Sequence, residues 1–153
     1  MINLYITNSQ NIFRASCVLL QKCYEANFST VVFMKNQDDI HMLDRTLWTF
    51  SRKQFIPHAT CFDLQEQGFE KSQQKIYITN NQSDVKASKA NVLLMFNILA
   101  DNLTTDLFDK TMFISSDEDV IQKTNLLDSF LDKKQEINCY TQDAKGAWTK
   151  KEI

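Results

Sequence analysis

Residues 2–50 read INLYITNSQNIFRASCVLLQKCYEANFSTVVFMKNQDDIHMLDRTLWTF, and the fold class follows from this stretch. Two short apolar runs, at residues 2–6 and 30–34, have the length and composition of buried strands. Each run is followed by a longer segment in which apolar residues recur at helical spacing. This strand–helix–strand–helix order predicts a parallel sheet with helices packed on its faces.

Polar residues indicate where both helices begin. Residues 7–9 (TNS) supply N-cap side chains for the first helix, and Asp38 and Asp39 place negative charge at the positive end of the second. The apolar face of the first helix comprises Ile12, Phe13, Leu19, Leu20, Cys23 and Tyr24. The apolar face of the second comprises Ile40, Leu43 and Leu47.

The middle of the chain continues the same alternation. Further strands are predicted at residues 76–78, 92–96 and 112–114. A short helix is predicted at residues 98–108, and the polar residues 65–74 are typical of a surface loop. Because Pro57 disfavours the α conformation at Ile56, residues 55–58 should be extended.

The C-terminal part predicts one more helix and one more strand. Ser116 and Asp119 have the spacing of a weak capping box, and Lys133 and Lys134 suit the negative end of the helix that follows. Its inner face would comprise Val120, Thr124, Leu127 and Leu131. In the final strand Ile137, Cys139 and Thr141 should be buried, whereas Asn138 and Tyr140 should face water.

Composition restricts the class of protein. The chain has 153 residues, a net charge of −2 and no apolar run long enough to cross a membrane, so we expect a single domain over residues 1–153 that is soluble and cytoplasmic. Its four cysteines lack a paired spacing and should be free buried thiols. The acidic balance argues against a protein that coats nucleic acid, which favours protein partners and no direct nucleic-acid binding of note.

Glycine content excludes the common phosphate-binding motifs. Phosphate-cradling loops need several residues without a Cβ atom, and the chain has only Gly68 and Gly146. Neither a Walker loop, a GxGxxG fingerprint nor a GxSxG nucleophile elbow can be drawn.

Other reactive residues have simpler explanations than catalysis or metal binding. His58 and Cys61 could each ligate a metal, but no second pair at ligand spacing accompanies them, which favours a hydrogen-bonded histidine and a buried thiol. His41 is predicted to be a solvated helix residue. The acidic clusters at residues 38–39 and 117–119 match the preference of helix N-termini for negative charge. We therefore expect no catalytic residues, no metal and no cofactor.

A family resemblance is carried by residues 43–58. Leu43-Asp44-Arg45-Thr46-Leu47-Trp48, continuing to Phe55-Ile56-Pro57-His58, resembles the LD-x-x-LW … F-[VI]-PH signature of the chi subunit of DNA polymerase III, an accessory subunit of the clamp-loader complex. The preceding element order also agrees, and Trp148 lies just before the terminus as in the family. The resemblance implies a three-layer α/β/α domain with a mostly parallel sheet, Rossmann-like but without a phosphate-binding loop.

The resemblance also implies two partner sites. In the family, the surface around the signature binds the subunit psi or, in its place, a helicase-like protein. In this chain that surface would comprise Trp48, Phe55 and Pro57, which together have the composition of an interface patch. From the residues alone, Trp48 and Phe55 could equally seal the edge of the core.

The second implied site binds the acidic C-terminal tail of single-stranded DNA-binding protein. Counting back from Trp148 places Lys134 on the family's pocket lysine, and Ile114 falls on its apolar residue. Two positions depart from the pattern, because Phe130 replaces an arginine and Lys133 replaces a tyrosine. Ordinary helix C-terminal charge would also explain the two lysines.

Two classes of function thus remain at this point. The first is a non-catalytic adaptor that links the clamp loader, through a psi-like subunit or a helicase, to single-stranded DNA-binding protein. The second, suggested by fold analogy alone, is a small α/β enzyme that acts on a nucleotide or nucleic acid. Thermal shift against a panel of nucleotides would separate them.

Overall fold

A single sheet organises the chain in its computed structural model, which describes residues 1–51, 56–63, 75–97, 107–116 and 136–151. The strands within these ranges are β1 (Ile2–Ile6), β2 (Thr30–Phe33), β3 (Ala59–Thr60), β4 (Ile76–Thr79), β5 (Val92–Phe96), β6 (Lys110–Ser115), β7 (Ile137–Gln142) and β8 (Trp148–Lys151). The helices are α1 (Ile12–Glu25), α2 (Gln37–Phe50) and α3 (Gln82–Ala87).

The strand order is β3-β4-β2-β5-β6-β1-β7-β8. Neighbours from β3 to β7 pair in parallel, whereas β8 returns antiparallel to β7 and forms one edge of the sheet. This mostly parallel sheet with packed helices confirms the predicted α/β class.

Alternating side chains of the strands contribute to two separate apolar cores. On one face, residues such as Tyr5 and Val32 pack with the apolar stripes of α1 and α2. On the other face, Leu4 and Phe33 pack with Val85 of α3. Residues adjacent in a strand therefore face opposite cores, which is why β1, β2, β4 and β5 are buried throughout.

The polar signals in the sequence mark the start of α2 correctly, whereas α1 begins after the residues predicted to cap it. Asn36 caps α2 by accepting a hydrogen bond from the backbone N–H of Asp38 at 2.8 Å. The N-cap of α1 is Asn11, which makes no side-chain cap hydrogen bond. Asn8, within the predicted cap at residues 7–9, instead accepts from the N–H groups of Gln10 and Asn11 in the turn before the helix. All four cysteines are buried free thiols, as predicted.

Three elements were not predicted, namely β3, α3 and β8. Some predicted elements lie outside the described residues: the loop at 65–74, all but the end of the helix at 98–108, and the C-terminal helix that includes Lys133 and Lys134. No helix in the described ranges has the length and apolar character needed to span a membrane.

Candidate functional site

The most exposed tryptophan lies on the outer side of α2. Ile40, Leu43 and Leu47 form the buried stripe of this helix, and each is at most 3% exposed. Trp48 is one residue further round the helix, and 53% of its surface is exposed. The described part of the chain thus presents a large aromatic side chain to solvent beside a firmly packed core.

The ring of His58 packs against the side chain of Trp48. The ring centroids of Trp48 and His58 are 4.7 Å apart, with an angle of 53° between the ring planes. Pro57 fixes the backbone between buried Ile56 and buried His58, directly before β3 begins. The indole therefore rests on a rigid surface rather than extending freely into water.

Both ring nitrogens of His58 contact oxygen acceptors. Nδ1 lies 2.8 Å from the carbonyl oxygen of Ile56, and Nε2 lies 2.8 Å from Oδ1 of Asp44. A carbonyl and an ionised carboxylate only accept hydrogen bonds, so both contacts are satisfied together only when both nitrogens donate, as they do in the imidazolium form. Burial acts against that charge, but the hydrogen bonds from His58 to Asp44 and Ile56 and the charge of Asp44 outweigh it and raise the pKa of His58.

The Asp44–His58 pair connects helix α2 to the segment that leads into β3. Asp44 and Trp48 are four residues apart on α2 and hence on the same side of the helix. His58 reaches both of them, so three residues of the signature form one physical unit. The sequence favoured a hydrogen-bonded histidine at position 58, and the structure confirms it. It did not identify Asp44 as the partner; the i, i+4 spacing of Asp44 and Trp48 was the available signal.

The side chains once considered as metal ligands have other partners. The two nitrogens of His58 are engaged as described, and the Cys61 thiol donates to Oδ1 of Asn80 at 3.8 Å. Within the described ranges, no group of three or more His, Cys, Asp or Glu side chains could hold a metal ion.

The other predicted site residues are distributed unevenly over the structure. Pro57 is partly buried next to His58, whereas Phe55 lies outside the described residues. Ile114 is fully buried in β6, on the sheet face that packs against α1. Lys133 and Lys134, together with Phe130, also lie outside the described residues.

Comparisons with known proteins agree with the signature. The profile of the family described as DNA polymerase III chi subunit, HolC, matches residues 1–145. A protein of Rickettsia prowazekii (strain Madrid E), "Probable DNA polymerase III subunit chi", is 30% identical over 156 residues, which cover 97% of this chain and 90% of that protein.

A solved structure supports the fold alone. The C-terminal domain of S. cerevisiae Dbp5, determined with Gle1 and IP6, superposes with a TM-score of 0.57 at 11% identity, and the match covers 90% of this chain and 88% of that one.

The family profile spans nearly the whole chain and includes the Asp44–Trp48–His58 unit. The chain therefore belongs to the DNA polymerase III chi subunit family.

Proposed function

We propose that the chain is a non-catalytic adaptor of the DNA polymerase III holoenzyme in the cytoplasm. In this proposal it joins the clamp loader, through a psi-like subunit or a helicase, to the tail of single-stranded DNA-binding protein. Membership of the chi subunit family supports the assignment to DNA polymerase III. The observation that carries the docking role is the exposure of Trp48 on a rigid base.

The Trp48 patch, which we define as Trp48, Pro57 and Phe55, has the properties of an interface anchor. A large aromatic ring that is already held in place loses little conformational entropy on binding. The hydrogen bonds of His58 to Ile56 and Asp44 hold in place the ring against which Trp48 packs. These hydrogen bonds do not involve the indole itself. The patch can therefore contribute apolar contact area to a partner at a small ordering cost.

The first prediction concerns Trp48→Ala. This change should weaken binding of the purified chain to its psi-like subunit or helicase by about 30-fold, the effect of losing a roughly 2 kcal/mol anchor. Isothermal titration calorimetry provides the measurement. Met42→Ala is the matched control, because Met42 is another exposed apolar residue of α2 at 43% exposure and lies on a different side of the helix. Equal affinity for the two variants would refute the docking role of Trp48.

In the proposed tail site Lys134 supplies the cation, and Lys133 and Ile114 are the other residues assigned to it. A lysine can pair with carboxylates of an acidic peptide, and such a pair weakens with salt. Because the Ile114 side chain is fully buried, we do not expect it to contact the peptide directly. Any effect of Ile114 on peptide binding would come from packing behind the residues that form the site.

The second prediction tests this tail site with a peptide that ends in the tail of single-stranded DNA-binding protein. Binding should weaken as salt is added and should be lost in Lys134→Glu, while Lys86→Glu on α3 should retain it. Saturable binding that neither salt nor Lys134→Glu alters would count against the assignment.

A further inference from the structure

A second candidate surface lies far along the sheet from the Trp48 patch, between α1 and the edge strands β7 and β8. It consists of two adjoining cavities of about 490 Å³ and 470 Å³. Lys22 and Trp148 line both cavities, and we consider the two together as one groove along α1. None of the described residues of the Trp48 patch lines this groove.

The groove is basic although the protein is acidic overall. Its cationic lining residues are Arg14, Lys22, Lys110 and Lys145. No Asp or Glu is among its described lining residues, and the one ion pair found in the described ranges is that of His58 with Asp44. The nearby carboxylate of Asp143 accepts hydrogen bonds from the backbone N–H groups of Lys145 and Ala147. Arg14 also lies over the ring of Phe50, 5.5 Å from its centroid. Among the described residues, no carboxylate forms an ion pair with any of the four cations.

Aromatic rings form one wall of the same groove. Tyr5 and Tyr140 lie opposite each other on β1 and β7, and their rings stack with centroids 5.3 Å apart. Trp148 of β8 meets Tyr5 edge to face at 5.3 Å. Tyr140 and Trp148 are partly exposed, and Phe28 adds a 42% exposed ring beyond the end of α1. Because strands hold three of these rings, the aromatic wall is rigid.

Cations beside aromatic rings on a sheet are suited to one class of ligand. Single-stranded nucleic acid offers phosphates for the cations and unpaired bases for the rings. A duplex would satisfy only the cations, because its bases are already stacked, and an acidic peptide would leave most of the aromatic wall unused. We propose that this groove binds a short segment of single-stranded nucleic acid, with phosphates along its lysines and bases against Trp148 and Tyr140.

This inference goes beyond the proposed adaptor function and departs from the expectation drawn from net charge. A total charge of −2 disfavours coating of nucleic acid, but it says nothing about how the cations are distributed. Few phosphates can be contacted, so binding should be weak and sensitive to salt. Neutralising three phosphates of a single strand predicts a slope of about −2 for log affinity against log salt concentration.

The test uses the two tryptophans of the chain. In a Trp48→Phe background the remaining indole, Trp148, reports on the groove alone. Titration with oligo(dT) at low salt should quench its fluorescence saturably. Lys22→Glu should weaken this binding at least about tenfold, whereas the matched control Lys86→Glu should not, since both are exposed lysines in the last turn of a helix.

Two outcomes would overturn the proposal. The first is equal affinity of the Lys22→Glu and Lys86→Glu variants for the oligonucleotide, with both proteins folded by circular dichroism. The second is saturable quenching by a poly-glutamate peptide but not by oligo(dT), which would make the groove a peptide site. Loss of the adaptor interaction at Trp48 would affect neither readout, so the two proposals can fail independently.

Discussion

At the scale of single residues, the chemistry of the docking site depends on one histidine. His58 is buried between two acceptors, and a neutral ring could donate to only one of them. The native contacts therefore make protonation easier than in a free imidazole, and the pKa of His58 is raised in spite of the burial that opposes its charge. Protonation of His58 is thus coupled to the stability of the segment that packs against Trp48.

This coupling predicts how stability changes with pH. Because the native pKa of His58 is raised above its ordinary value of 6.5, the added stability is fully present below that value and is lost as pH rises through the native pKa. At about pH 6, Asp44→Asn should lower the free energy of unfolding by about 1 to 2 kcal/mol. This value is small because Asp44 is partly exposed to solvent. Urea unfolding from about pH 6 to about pH 9 measures both effects.

The other histidine provides the control for this experiment. His41→Gln leaves the Asp44–His58 pair intact and should preserve the pH dependence of the native protein. In Asp44→Asn the free energy of unfolding should depend less steeply on pH. If the two variants keep the same slope, the Asp44–His58 pair does not set the charge of His58.

At the scale of secondary-structure elements, hydrophobic periodicity predicted the helix faces that pack in the core. It missed the short strands that form only because they hydrogen-bond to an edge of the sheet. The apolar stripe of α2 is buried as predicted, because hydrophobic spacing reports burial directly. In the stripe predicted for α1, Phe13 and Tyr24 are only partly buried and the other four residues are buried. β3 has only two residues and β8 is largely exposed, so neither has the apolar run that identifies a strand. Both exist because an edge of the sheet offers hydrogen-bonding partners, which sequence alone does not reveal.

The face of β7 expected to be wet shows the same limit. Asn138 is buried because its side chain donates to Asn3 at 3.2 Å, and Tyr140 is covered in part because it stacks on Tyr5. Alternation along β7 correctly separated two faces, but it could not show that β1 and α1 cover part of the second face. Gly146, with φ of +89°, lies in the turn that returns the chain into β8 and completes this region.

Helix α3 was missed for a different reason, since its six residues are too few to show a helical period. Its position is fixed by polar contacts rather than by a long apolar stripe. The buried carboxylate of Asp84 accepts hydrogen bonds from the hydroxyl groups of Tyr77 and Thr79, at 3.0 Å and 2.8 Å. Such contacts join residues of separate elements, and they become visible only when the fold is known.

At the scale of the whole molecule, the sheet separates the two surfaces that we propose as binding sites. The Trp48 patch lies near β3, at one edge of the strand order, and the basic groove lies by β7 and β8 at the other. Because of this separation, a protein partner at the Trp48 patch would not obstruct a nucleic-acid segment in the groove. The signature predicted the first surface from sequence, whereas the second depends on residues from α1, β1, β6, β7 and β8 that only the fold brings together.

The central claim is that Trp48 is buried by a DNA polymerase III partner. Fluorotryptophan incorporated into this chain alone, in a Trp148→Phe background, would give one fluorine NMR signal from Trp48. When unlabelled clamp-loader complex is added, we expect that signal to shift and to lose its sensitivity to heavy water, because a partner covers the indole. A complex that forms while the signal keeps its position and its solvent sensitivity would contradict the account.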